Sequence, residues 1–209
     1  MNKPINIIGQ VADGHDQSRD IEKIEGVMIH RVGVDHQTGV VLGYDGLMVA
    51  EVFTGRRPEW EEVAKVTGRQ NAYSILIGGD CGPAKFDGEI WQALALDEIG
   101  HHARRFSAPY IGVGCIGDFR TRRPSPKQWA SLADVCAELC TSFGWNPYQA
   151  VKGHGEVPEA HGGEKARGKP AACPGDLLDM YVLRDDVAML AKDQARRRLH
   201  EAGLVFTRA

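Results

Sequence analysis

The chain has 209 residues, 43% hydrophobic and 25% charged, an ordinary balance for a globular protein of one domain with appendages. A formal net charge of −3 gives no global basic field for collecting nucleic acid or anionic lipid. No apolar stretch reaches the roughly 18 residues of a membrane helix, so membrane insertion is not expected.

In chain order, the start carries Lys3 but no apolar segment long enough for a signal peptide. Synthesis in the cytoplasm is expected, and a substrate beyond the membrane would be reached by another route. Residues 26–32 (GVMIHRV) read as a short buried strand ending in polar residues. Residues 57–67 set Trp60, Val63, Ala64 and Val66 among charges, a helical pattern with Pro58 where a first turn tolerates it. Residues 72–77 form another apolar strand, closed by the turn-rich segment 78–83, and 89–94 form a strand after the Asp87-Gly88 turn. Residues 110–116 are a third apolar run, whose glycines indicate close backbone packing or the approach of a ligand.

After Ser125-Pro126 an amphipathic helix runs from about residue 127 to 143. Trp129, Leu132, Val135, Cys136, Leu139 and Phe143 share one face, and Gly144 is placed to cap it. Residues 153–175, rich in glycine, proline and charge, predict a long loop with little regular structure, of a length usual for functional or disordered segments. Residues 183–202 predict a charged, peripheral helix, with Arg196, Arg197 and Arg198 near its end, favourable to the helix dipole. Alternating strand and helix signals without repeats point to an α/β fold.

Five cysteines, an odd number in a chain with no export signal, argue against a disulfide framework. Cys81, Cys115, Cys136 and Cys140 read as small packed hydrophobes. Cys173 differs because it stands in the loop segment Ala172-Cys173-Pro174-Gly175. Imidazole and thiolate are zinc ligands, and a catalytic zinc uses three protein ligands with a fourth position open. His30 closes a predicted strand and His154 lies in Gly153-His154-Gly155, outside any apolar periodicity. Their separation matches no short zinc pattern such as HExxH. From the residues alone, surface or hydrogen-bonded histidines are the more ordinary explanation, and a zinc site is the less common alternative.

The order of the segments is more specific than any one of them. Val27-Met28-Ile29-His30, the strand 72–77, the Asp87-Gly88 turn, Leu96 to Ala103, Ile111 to Phe119, Gln128-Trp129, Gly153-His154-Gly155-Glu156-Val157 and Ala172-Cys173-Pro174-Gly175-Asp176 stand in one sequence. In that order they resemble the zinc amidase family (amidase type 2), which includes amidase-type phage lysozymes, bacterial N-acetylmuramoyl-L-alanine amidases and peptidoglycan recognition proteins. The likeness covers residues 24–185, leaving 1–23 as an N-terminal extension and 186–209 as a C-terminal helical appendage.

The resemblance implies a mixed central β-sheet flanked by helices, with zinc at one end of the sheet held by His30, His154 and Cys173. It implies a hydrolase acting on peptidoglycan or a muropeptide. A zinc-activated water would cleave the amide between N-acetylmuramic acid and the L-alanine of the stem peptide, as in an endolysin of a phage or prophage. Alternatives are a muropeptide-binding module that does not cut, or a zinc hydrolase of another amide. Tyr73 matches a tyrosine that orients the water or oxyanion, or is a packed strand aromatic. His102 matches a histidine lining the substrate groove, or has a supporting or surface role. Two departures stand out: Ala171 occupies the usual place of a catalytic lysine, leaving Lys169 as the nearby positive charge, and Ser74 replaces the histidine of the family's YHF strand. His101 and His161 are weaker candidates, and Glu156 either supports its loop or hydrogen-bonds a ligand histidine.

Overall fold

The computed structural model describes residues 3–8, 10, 17–32, 45–54, 71–157 and 173–203. Its sheet has six strands: β1 (Ile5–Asn6), β2 (Gly26–Val32), β3 (Ile75–Ile77), β4 (Ile90–Gln92), β5 (Tyr110–Ile116) and β6 (Val151–Gly153). The spatial order is β1-β4-β3-β5-β2-β6. Every neighbouring pair is parallel except β3 with β4, so the sheet is mixed, as the resemblance implies. The helices are α1 (Gly46–Thr54), α2 (Pro126–Phe143), the single turn α3 (Pro147–Ala150) and α4 (Met180–Glu201). None of the described helices is long and apolar enough to cross a membrane.

The two central strands explain the layering. All seven residues of β2 and of β5 are buried, as continuous apolar runs must be when both faces of a parallel pair are covered. They pair in register from Gly26 with Tyr110 to Val32 with Ile116. Side chains alternate across the sheet. Val27, Ile29, Ile111, Val113 and Cys115 enter one core with Leu132, Val135, Cys136 and Leu139 of α2 and Leu183 and Val187 of α4. Met28, His30 and Val32 take the opposite face, where Val32 packs with Val49 and Ala50 of α1 and with Trp91.

Helix α2 starts and stops where its punctuation indicates. The Ser125 side chain accepts from the Gln128 amide, Pro126 opens the first turn, and Gly144 ends the helix in the left-handed region at φ 68°. Helix α4 departs from the peripheral helix expected. It begins at Met180 under an Asp179 cap, and Leu183 and Val187 are fully buried against the core. A narrow apolar stripe among charges hid this packing, and the boundary drawn at 185/186 falls inside the helix.

The first residues also join the domain: β1 extends the sheet edge beside β4, and Ile7 is buried. Arg19 donates to the carbonyls of Leu96 (2.8 Å), Ser107 (2.9 Å) and Tyr110 (2.7 Å), tying this segment to the loop before β5. The helix expected at 57–67 lies outside the described residues.

Candidate metal centre

His30 stands near the C-terminal end of β2, on the face away from α2 and α4, and is 2% exposed. Strand β6 runs parallel to β2 with Gly153 opposite Ile29, so the chain leaving β6 delivers His154 beside His30. The two ring centroids are 4.4 Å apart. Cys173 begins a separate segment that is tied at two points. Its carbonyl accepts from the Gly155 amide at 2.6 Å, and the Leu177 amide donates to the Phe119 carbonyl at 3.0 Å. One ligand atom from each of His30, His154 and Cys173 lies within 4.8 Å of the other two.

The donor set and its spacing fit zinc. Bonds of about 2.05 Å to nitrogen and 2.3 Å to sulfur at a tetrahedral angle require an N···S separation of about 3.6 Å. The His30 Nδ1 to Cys173 Sγ distance is 3.7 Å. Burial pushes the Cys173 thiol up to about 11, partly offset by a hydrogen bond from the Arg31 backbone and by the Arg31 charge. Such a thiol stays protonated at neutral pH until a cation stabilises its thiolate, so metal binding would release a proton.

The neighbouring side chains owe their places to glycines. A Cβ on Gly112 would stand 2.7 Å from Cδ2 of His102, and one on Gly114 would stand 3.1 Å from Cδ2 of Tyr73. The glycines of β5 therefore open the sheet face to these two rings. The Tyr73 ring centroid is 5.1 Å from that of His30. Burial, with the nearby Cys173 second, drives the Tyr73 phenol far above its ordinary value and keeps its proton on. His102 lies behind His30 and is 9% exposed. Its Nδ1 is 3.1 Å from His30 Nε2 and its Nε2 is 3.2 Å from the Tyr110 carbonyl oxygen. Burial lowers its pKa to about 3, so the ring is neutral.

Two ion-pair systems brace the ligand segments. Glu156 accepts from the Gly153 amide at 2.8 Å and pairs with Arg184 of α4, whose Nε donates to the Val151 carbonyl at 2.8 Å. This pairing grips the turn bearing His154. Beside Cys173, Asp118 receives Arg31 at 2.8 Å and Arg120 at 2.6 Å, which hold its carboxyl well below the usual range. A cleft lined by Gly155, Cys173, Gly175, Asp176 and Tyr181 opens beside the thiol.

The structure thus gathers His30, His154, Cys173, Tyr73 and His102, while His101 is exposed at the surface. Lys169, Ala171 and His161 lie outside the described residues. Arg184 and Arg19 were not foreseen. Arg184 had one signal, its place beside Leu183 on the buried side of a helix, whereas nothing local marks Arg19.

Similarity to known proteins follows the same residues. The chain is 39% identical over 56 residues to peptidoglycan-recognition protein 2 of Holotrichia diomphalia, covering 27% of this chain and 26% of that protein. It is 30% identical over 107 residues to peptidoglycan-recognition protein LB of Drosophila melanogaster, covering 51% and 38%. The matches therefore span well under half the length of either relative. Among solved structures, the N-acetylmuramoyl-L-alanine amidase LysC of Clostridium intestinale shares the fold at a TM-score of 0.56 and 16% identity, over 90% of this chain and 99% of that one. The sequence profile of one family, described as N-acetylmuramoyl-L-alanine amidase (Amidase_2), matches residues 20–176, from before β2 through the Cys173 loop, and the chain belongs to that family.

Proposed function

We propose that the chain is a zinc-dependent hydrolase that cleaves the amide between N-acetylmuramic acid and the L-alanine of the peptidoglycan stem peptide. The observation that carries this reading is the convergence of His30, His154 and Cys173, with the 3.7 Å spacing from Nδ1 to Sγ that a shared tetrahedral zinc requires. Three protein ligands leave one position for chemistry, the arrangement of a catalytic site rather than a closed structural one. A zinc ion held there would supply Lewis acidity, lowering the pKa of water and polarising the amide carbonyl.

The chain's own residues do the rest. Tyr73 keeps its proton and so is a donor for the oxyanion that develops at the carbonyl. From its place in the sequence, two residues before Ala171 where the family's lysine is absent, we propose Lys169 as the positive charge for the same oxygen. His102 is buried behind His30, which suits it to supporting the ligand rather than to touching the substrate. We further propose a lytic, endolysin-type role, with the wall reached through a membrane lesion; purified protein should then clear suspensions of permeabilised bacteria.

Purified, zinc-loaded protein incubated with peptidoglycan sacculi tests the reading. New free amino groups should appear, vanish on chelation and return with zinc, and Cys173→Ser should weaken zinc binding. Tight zinc binding with no new amino groups would overturn hydrolysis in favour of a muropeptide-recognition module of the same fold.

A further inference from the structure

We propose that His102 is a positioning residue that fixes the tautomer of His30, with Arg19 steadying the carbonyl at the far end of the relay; the inference rests on the reading of His30, His154 and Cys173 as a metal centre. One group in the relay has a fixed role. The Tyr110 carbonyl oxygen has no proton and can only accept. His102 Nε2, 3.2 Å away, must therefore carry the hydrogen and donate it. The ring is buried and shares its carbonyl acceptor with the Arg19 guanidinium, a setting that disfavours a second positive charge, so Nδ1 presents a lone pair, which accepts from His30 Nε2–H at 3.1 Å. With its hydrogen on Nε2, His30 has a bare Nδ1, and that atom faces Cys173 Sγ at 3.7 Å.

The opposite polarity fails at both ends. A hydrogen on His102 Nδ1 would leave the Nε2 lone pair against the Tyr110 carbonyl oxygen. It would also move the His30 hydrogen to Nδ1, toward the thiol, where it blocks a cation. A doubly protonated His102 has the same effect on His30. The relay in one direction only leaves a ligand atom ready for metal.

Two features hold the relay in place. Tyr110 O also accepts from Arg19 Nη1 at 2.7 Å, and the same guanidinium donates to Leu96 O and Ser107 O, which fixes the carbonyl's position. The His102 ring sits where any side chain on Gly112 would stand, 2.7 Å from its Cδ2. The segment from residue 17 to 32 thus brings a metal-facing histidine and, eleven residues before it in the chain, the arginine that anchors its relay.

Two measurements test the assignment. Long-range proton–nitrogen NMR of the zinc-free protein reads each ring's tautomer, and both His30 and His102 should carry hydrogen on Nε2 alone. Zinc affinity, measured by competition with a chromophoric chelator, should fall about 10- to 100-fold in His102→Phe, the loss usual for partners of metal-bound histidines. In His102→Asn the side-chain oxygen takes the place of Nδ1 and accepts from His30, so affinity should stay close to wild type. Finding hydrogen on Nδ1 of His30, or on Nδ1 of His102, would overturn the proposal even if neither variant folds. Equal losses in the two variants, or no loss in His102→Phe, would overturn it as well. A wild-type protein that binds no zinc but shows the expected tautomers would instead sink the metal centre and leave the relay standing.

Discussion

Arg184→Met removes the guanidinium that joins α4 to the His154 turn while keeping most of the apolar stem. The Arg184 side chain is 10% exposed and pairs with Glu156, which is 38% exposed. Its Nε also donates to the Val151 carbonyl at 2.8 Å. Breaking a fully buried ion pair by removing one partner costs about 3–5 kcal/mol, but Glu156 is more than a third exposed and keeps the Gly153 amide. Water therefore rehydrates much of the stranded carboxylate, which limits the ion-pair loss to about 1 kcal/mol. The lost hydrogen bond to Val151 adds about 1 kcal/mol. A total near 2 kcal/mol lowers Tm by roughly 4–8 °C in a chain of this size. Because Glu156 and Val151 flank His154, zinc affinity should fall too, whereas an exposed control such as Arg196→Met should change neither quantity. Thermal melts of the zinc-free protein and chelator competition read the two effects. An Arg184→Met protein with wild-type Tm and wild-type zinc affinity would refute the idea that α4 grips the ligand turn.

Three further outcomes follow from individual residues. Gly112→Ala puts a methyl 2.7 Å from the His102 ring on a central strand that cannot yield, so stability should drop by about 1–3 kcal/mol; an unchanged melt would mean the ring has room to move. Ser74 is fully buried and its hydroxyl finds no partner among the described residues, so Ser74→Ala should leave stability unchanged or raise it by up to about 1 kcal/mol. A clear drop in its melt would show the hydroxyl to be engaged. Asp118 has a carboxyl held below its ordinary value by Arg120 and Arg31, so its contribution is complete above the unfolded value of about 3.9 and fades as pH falls through the lower folded value. The stability gap between wild type and Asp118→Asn should accordingly be full at neutral pH and close below about pH 4; a gap that widens in acid would contradict the sign.

How much of this was readable in advance depended on how local each feature is. Strands β2 and β5 have the boundaries expected because each is an unbroken apolar run buried on both faces. Helix α2 was marked at both ends by Ser125, Pro126 and Gly144. Strand β3 is shorter than the apolar run around it, since the chain bends at Ser74, just before Ile75. Strand β6 has three residues with no period of their own, and it exists because it pairs with β2. Yet that pairing brings His154 to His30, which is why spacing along the chain could not reveal the metal centre and only the ordered family motifs pointed to it. The ring of His102 behind His30 and the reach of Arg19 to Tyr110 are likewise products of packing, with no local signature.

The account stands or falls on hydrolysis. Zinc-loaded protein should be incubated with a defined muropeptide, N-acetylmuramic acid carrying a stem peptide, and the products resolved by mass. The account predicts equal amounts of the free sugar acid and of a stem peptide with an unblocked N-terminal alanine, with neither formed by Cys173→Ser. Intact muropeptide recovered from a protein that binds both it and zinc would contradict the account.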